Sequence, residues 1–285
     1  MSLPNNPPDP GRALEIAAAA AREAGALLRE GYDRPKTVHF KGEIDLVTEY
    51  DLASEKLLLA RIASAFPDHE ILSEEAGEIG PPSASRWYID PLDGTTNFAH
   101  GFPAFCVSIA LETLTEKGPA LTVAVVYDPL RDELYTAATG GGAWLNGRRL
   151  SVSGLSDLGM ALVATGFPYN IRRNPGRIFD RFLAMQMISR GVRRAGSAAL
   201  DLAWTAAGRL DGFWEERLHP WDMAAGALLV SEAGGRVTDF SDRPFDPAMK
   251  EVLATNGRLH YNMRQILAPD QPGPPGQAVL PGEVR

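Results

Sequence analysis

Apolar and polar positions follow one rhythm in the first half of the chain and another in the second. The stretch 13–28 is the most apolar early run, yet Glu15, Arg22 and Glu23 interrupt it, so it predicts an amphipathic helix over 11–30 and not a signal h-region or a membrane span. A short strand or loop at 38–41 leads to a second helix, starting at Thr48 or Asp51 and running to Ala65. Phe66-Pro67 ends it, because the residue before a proline is disfavoured in the helical region. Runs of β-branched and aromatic residues then predict strands at 69–73, 87–90, 105–111, 121–127 and 133–138, with Gly140-Gly141-Gly142 and Asn146-Gly147 as turns. That half reads as a sheet in meander.

In the second half strand and helix alternate: 162–165, 178–189, 192–194, 198–207, 212–214, 223–233, 237–238 and 251–255. Met185 and Met187 are expected in the core on an apolar helix face, as are Trp204 and Trp214. Strands mixed with helices throughout imply α/β or α+β layers. Pro- and Asn-rich residues 1–10 and Pro/Gly-rich residues 269–285 read as tails flanking a single domain over 11–268.

Composition narrows the partners. Of 285 residues 45% are hydrophobic and 22% charged, which suits a globular chain with a sizeable core. Twenty-eight basic against 36 acidic side chains leave a net charge of −8, with no long Lys/Arg run. Direct binding to nucleic acid or to a membrane surface is therefore not expected. The single Cys106 can form neither an internal disulfide nor a thiolate zinc cluster, which fits a reducing, cytoplasmic setting.

The candidate chemistry lies in Trp87-Tyr88-Ile89-Asp90-Pro91-Leu92-Asp93-Gly94-Thr95-Thr96-Asn97, an apolar strand ending in two carboxylates three apart. Pro91 cannot donate to a ladder, so the strand is expected to stop there. A turn then brings Asp90 and Asp93 together, Gly94 lets backbone approach a ligand, and Thr95-Thr96 can cap a following helix. Metal and phosphate together satisfy such a site. An Asp-rich turn with capping threonines accounts for the short string equally well.

Further carboxylates stand at similar places: Ser73-Glu74-Glu75 after apolar Ile71-Leu72, Asp51 at a helix start after Asp45-Leu46-Val47-Thr48, and Asp222 after Pro220-Trp221. Each alone reads as a cap or a solvated acid; together they make an oxygen-ligand set. Oxygen ligands suit hard cations such as Mg²⁺, whereas zinc calls for His or Cys, and the five histidines show no ligand spacing. Mg²⁺ held by shared carboxylates can generate a hydroxide and stabilise a leaving alkoxide, the logic of metal-assisted phosphate-ester hydrolysis.

At these residues the sequence resembles the inositol monophosphatase family of Mg²⁺-dependent, lithium-sensitive sugar-phosphate phosphatases. An ordered series carries the likeness: Asp45 to Asp51, Glu74-Glu75, Trp87 to Phe98 followed by His100-Gly101-Phe102-Pro103, Arg194-Ala195-Gly196-Ser197-Ala198-Ala199, and Trp221-Asp222 to Gly235. The resemblance implies an αβαβα sandwich of the inositol monophosphatase and fructose-1,6-bisphosphatase type, usually a homodimer. It further implies that Glu74, Asp90, Asp93, Asp222 and the Leu92 carbonyl hold two or three Mg²⁺ ions. Glu74 and Thr95 would bracket the attacking water, with Thr95 oriented by Asp51, and the Gly94 and Thr95 amides would hold phosphate. Asp93, Ala198 and Glu215 would contact substrate hydroxyls beside a wall shaped by Gly196 and Ser197. Glu75 is similar to a residue behind the metal ligands, and Lys41 to a loop lysine that lies one residue closer to Asp45 than in some members.

The activity implied is release of phosphate from myo-inositol 1-phosphate or a similar small sugar or polyol phosphate. Fructose-1,6-bisphosphatase and histidinol-phosphatase activities share the same metal core, and some bacterial relatives serve as non-catalytic partners in transcription complexes. Arg193-Arg194 reads as a solvated pair that could also meet a phosphate.

Overall fold

The computed structural model describes residues 8–40 and 46–268. Helix α1 (Pro10–Tyr32) opens with the Asp9 side chain accepting from the Gly11 amide and with Pro10 in its first turn, where a missing N–H costs nothing. Its inner stripe is mostly alanine, which lets the helix lie close to the sheet beneath it. Strand β1 (Val38–Phe40) pairs antiparallel with β2 (Leu46–Thr48), and Thr48 caps α2 (Glu49–Ala65) through a reciprocal capping box with Asp51.

An eight-stranded sheet follows, built from β3 (Glu70–Ser73), β4 (Gly77–Ile79), β5 (Ser85–Asp93), β6 (Cys106–Thr115), β7 (Gly118–Asp128), β8 (Glu133–Ala138), β9 (Gly142–Leu145) and β10 (Arg148–Arg149). Short helix α3 (Thr95–His100) sits between β5 and β6. The spatial order is β10-β9-β8-β7-β6-β5-β3-β4, so the expected meander runs from β5 to β10, and β3 joins parallel to β5. Asn146 and Gly147, both at positive φ, make the turn between β9 and β10.

The second sheet contains β11 (Leu162–Thr165), β12 (Gly191–Arg193), β13 (Gly212–Glu216), β14 (Arg236–Thr238) and β15 (Glu251–Thr255) in the order β12-β11-β13-β15-β14. Its helices are α4 (Ile178–Ile188), α5 (Ala198–Ala206), α6 (Pro220–Glu232) and α7 (His260–Leu267).

Alternation along the strands explains the stacking. Trp87 and Ile89 of β5 pack towards α1 and α2, whereas Tyr88 packs with α5 and α6. In β13, Phe213 faces α5 and α6 while Trp214 faces Met185 of α4 and Met263 of α7. Helices α5 and α6 are therefore covered by a sheet on each side, which is why they are apolar nearly all round; Met223 to Val230 are buried without a break. The result is the αβαβα sandwich. Among the described residues no helix is long and apolar enough to cross a membrane.

Three expectations need correction. Strand β5 does not end at Pro91 but continues to Asp93, because a register shift between Asp90 and Asp93 absorbs the missing donor as a bulge. Met187 is 77% exposed while Met185 is fully buried: two residues apart on a helix, they point to nearly opposite sides. Trp204 is only partly buried, with the Arg131 guanidinium over its ring. Lys41 and Asp45 lie outside the described residues, as do most of the two expected tails.

Candidate active site

The carboxyl ends of β3, β5, β11, β12 and β13 converge on a cavity of about 720 Å³. Ligands of layered α/β folds collect at such edges. Glu74, Asp90, Leu92, Asp93, Gly94, Thr95, Gly196, Ser197, Ala198, Glu215 and Asp222 all line it, so residues spread over 149 positions of sequence meet in one place. Asp51 does not line the cavity; it is buried behind Thr95.

The bulge in β5 sets the first carboxylates. Between Asp90, opposite Ser108, and Asp93, opposite Cys106, the strand advances three residues against two on β6. The extra residue turns Asp93 to the same face as Asp90, while Ile89 and Leu92 stay in the core under α1 and α2. Asp90 Oδ1 accepts from the Leu92 amide at 3.0 Å. Asp93 Oδ2 accepts from the Ser197 hydroxyl and the Ala199 amide, each at 2.7 Å. The hydroxyl of Ser197 is thus committed to Asp93 and to capping α5. From α6, Asp222 Oδ2 accepts from the His219 amide at 2.7 Å, as the third residue of a helix that starts at Pro220.

Gly94 caps α3 at φ +96°, a conformation that side chains resist, and a Cβ there would stand 2.8 Å from the Ala104 carbonyl. The Thr95 hydroxyl has two acceptors within reach, Asp51 Oδ1 at 2.7 Å and the Leu92 carbonyl at 3.0 Å. Asp51 Oδ2 accepts from the Thr48 amide and hydroxyl.

Burial and like charge act together on the acids of the site. Burial, and then the charges of Glu74, Asp93 and Asp222, push the Asp90 carboxyl well above the usual range. Burial pushes Asp93 up to about 6, against the pull of its Ser197 and Ala199 donors. Asp222 is raised by burial and by Asp93, Glu215 by burial and then by Asp201 and Asp93. Among the described residues no Lys or Arg forms an ion pair with Asp90, Asp93 or Asp222.

In each of these three residues one oxygen takes the hydrogen bonds and the other is left to a ligand. Clustered carboxylates of this kind fit a hard cation bound by oxygen, since only a cation offsets so much like charge. Among the described residues no three acidic, His or Cys side chains already close round a single point. Their own hydrogen bonds and mutual repulsion hold the carboxylates at the cavity wall.

Glu55 and Asp201 carry no obvious signal in the sequence, and Asn97 and Arg194, named in its motifs, take contacts that the motifs do not spell out. Glu55, one helical turn after Asp51, accepts from the Ser73 hydroxyl at 2.5 Å and from the Glu75 and Ala76 amides at 3.0 Å, which fixes the turn that carries Glu74. Asn97 Nδ2 donates to the carbonyls of Ala104 and Ala195, tying α3 to the turn before α5. Arg193 and Arg194 are both exposed, but Arg194 also borders the cavity, with its guanidinium over the Phe167 ring at 5.8 Å. Asp201 is a further buried acid of the wall.

Comparison with known proteins agrees with this architecture. The model of the inositol monophosphatase family matches residues 9–271. An inositol-1-monophosphatase of Synechocystis is 46% identical over 257 residues, covering 90% of this chain and 88% of that protein. A Pseudomonas aeruginosa protein named Nus factor SuhB is 50% identical over 266 residues, covering 91% and 97%. The solved structure of an inositol monophosphatase from Anabaena superposes with a TM-score of 0.82 at 44% identity, covering 90% of this chain and 95% of that one. Sequence and fold thus agree along nine-tenths of its length that the chain belongs to the inositol monophosphatase family.

Proposed function

We propose that the protein is a Mg²⁺-dependent phosphomonoester hydrolase that releases inorganic phosphate from myo-inositol 1-phosphate or a closely similar polyol monophosphate. The observation that carries this reading is one cavity in which unpaired acids, Asp90, Asp93 and Asp222, stand beside a hydroxyl, Thr95, whose proton is directed at Asp51. Glu74, Asp90, Asp93, Asp222 and the Leu92 carbonyl would hold two or three Mg²⁺ ions. Bound there, the metal makes water acidic enough to attack at neutral pH and offsets charge on the leaving oxygen.

The chain's own groups complete the site. With its proton on Asp51, Thr95 Oγ1 turns a lone pair to the attacking water, and Glu74 accepts the proton that this water gives up. The Gly94 and Thr95 amides hold the phosphate. Glu215 and the wall of Gly196, Ser197 and Ala198 receive the alcohol part. Asp51 touches no reactant and is a positioning residue.

Phosphate release from inositol 1-phosphate, fructose 1,6-bisphosphate and histidinol phosphate, with and without Mg²⁺, tests the reading. Activity should require Mg²⁺, vanish with chelator and return less well with Zn²⁺; full activity in metal-stripped protein rejects it. Li⁺ should inhibit uncompetitively, by taking a metal position after the ester is cleaved, and insensitivity would favour a differently arranged metal loop.

A homodimer working in the cytoplasm fits the same reading. The exposed stripe Phe179, Leu183 and Met187 on α4 is an apolar face suited to a second copy. The 50% identity to a protein named Nus factor SuhB supports a second role beside catalysis, as a partner in a transcription complex. An Asp93→Asn chain separates the two: rescue by it of a cell lacking this protein assigns the defect to the second role, and failure assigns it to turnover.

A further inference from the structure

Asp201 lies in the first turn of α5 and is 1% exposed, although it borders the cavity. Its backbone is fully engaged: the amide donates to the Ser197 carbonyl, and the carbonyl accepts from the Thr205 hydroxyl. Its side chain is not. Oδ1 is buried with no hydrogen-bond partner. An uncompensated buried acid destabilises a fold, so the partner of Asp201 is to be sought outside the chain.

Glu215 shares that wall. Alternation along β13 sends Phe213 and Glu215 to the α5 side of the sheet and Trp214 to the other. The Glu215 carboxylate packs on Gly166 so tightly that a Cβ there would overlap it, which pins the head group against backbone. Among the described residues Arg194 is the one cation that bears on both acids, yet it stacks over Phe167 and forms no salt bridge with either.

We propose that Asp201 and Glu215 form a two-carboxyl clamp for adjacent hydroxyl groups on the part of the substrate remote from its phosphate. The inference rests on the phosphatase reading above and extends it from Glu215 to a second acid that selects the substrate. A buried carboxyl and a hydroxyl each can donate and accept, so a vicinal diol can engage both acids at once.

The test compares Asp201→Asn with wild type on myo-inositol 1-phosphate and on 4-nitrophenyl phosphate, which has no such hydroxyls. The ratio of kcat/KM for the inositol ester to that for the aryl ester should fall about tenfold, the scale of one lost hydrogen bond. Without ligand, Asp201→Asn should melt no lower than wild type, since it removes an unpaired buried acid. A lower melting point with an unchanged ratio makes Asp201 a structural partner of Arg194 and overturns the clamp.

The wild-type chain supplies a second measurement, independent of how the variant folds. Glucose 6-phosphate and its 2-deoxy analogue differ by one hydroxyl, and indifference to that loss, repeated for the deoxy esters at every other ring position, overturns the clamp. Wild type that hydrolyses none of these esters removes the phosphatase reading, and the clamp with it. Wild type that hydrolyses them all, with an unchanged ratio in Asp201→Asn, removes the clamp alone.

Discussion

The Thr95 hydroxyl lies 2.7 Å from Asp51 Oδ1 although 44 positions separate the two residues, and Asp51 is itself anchored by the Thr48 that caps α2. A capping box therefore does more than start a helix; it orients the side chain expected to bracket the water. Thr95→Val keeps the volume and deletes the hydroxyl, so turnover should fall at least about a hundredfold, the low end for losing a positioned acid–base group. Thr95→Ser should retain most of the activity. Equal turnover in the valine and serine variants removes Thr95 from the reaction.

Proton and metal compete at the same oxygens. Asp93 in the folded chain is raised to about 6, and Asp90 and Asp222 are raised as well, so below that range Mg²⁺ must displace protons. Mg²⁺ affinity should fall as pH drops from about 7 to about 5, and binding near pH 6 should release protons, seen by calorimetry in two buffers of different ionisation enthalpy. Affinity constant over this range contradicts the assignment.

Linkage gives the sign for metal-free stability. The folded value of Asp93 lies above its ordinary 3.8, so its contribution is present at low pH and lost as pH rises through about 6. The melting temperature of Asp93→Asn relative to wild type should therefore climb between about pH 4 and pH 6 and level off above, in the absence of metal. A flat difference shows that the carboxyl titrates in its ordinary range.

Glu215 offers its acceptor to the alcohol and not to phosphorus. Glu215→Gln should reduce kcat/KM for polyol phosphates by the equivalent of roughly 1–3 kcal/mol and that for an aryl phosphate by much less. Equal losses on both esters point instead to damaged metal binding.

On α4, Leu183 is 60% exposed and lies one turn from Phe179 and from Met187. Leu183→Glu places a charge in the middle of that stripe. Sedimentation should show a dimer for wild type and a shift towards monomer for the variant; a wild-type monomer ends the proposal that a second copy covers α4.

Much of the architecture was legible in residue pattern. The strand end at Ser73, the Thr48 to Asp51 helix start and the Asn146-Gly147 turn rest on local chemistry that a sequence displays, whereas the end of β5 at Asp93 depends on a bulge set by its partner strand. Helix α7 and strands β2, β4, β9 and β10 have no counterpart in the residue pattern, being short or paired with neighbours distant in sequence, and α3 shows only as the helix that Thr95-Thr96 can cap. Met187 shows a different limit, since apolar character alone does not reveal which side of a helix meets the core. Glu55 is not legible because its contacts are long-range, and Asp201 because only the fold buries it. Asp201 does carry one trace, being the lone acid in the otherwise apolar run from Ala198 to Trp204.

The bulge at Pro91 makes the spacing of β5 a matter of counting. In an unbroken strand, residues three apart project from opposite faces, so Asp90 and Asp93 share the cavity only because one residue is left out of the ladder. Deleting Pro91 would spare every acid in the protein and restore an uninterrupted alternation. With two residues then facing two on β6, the second aspartate would still stand opposite Cys106 in phase with Asp90, but Leu92 would follow Asp90 directly and its amide could no longer reach Asp90 Oδ1. A loss of one codon, with no change of any charged residue, would thus undo the turn that steadies the Asp90 carboxylate and take away the Pro91 carbonyl to which Ser54 of α2 donates.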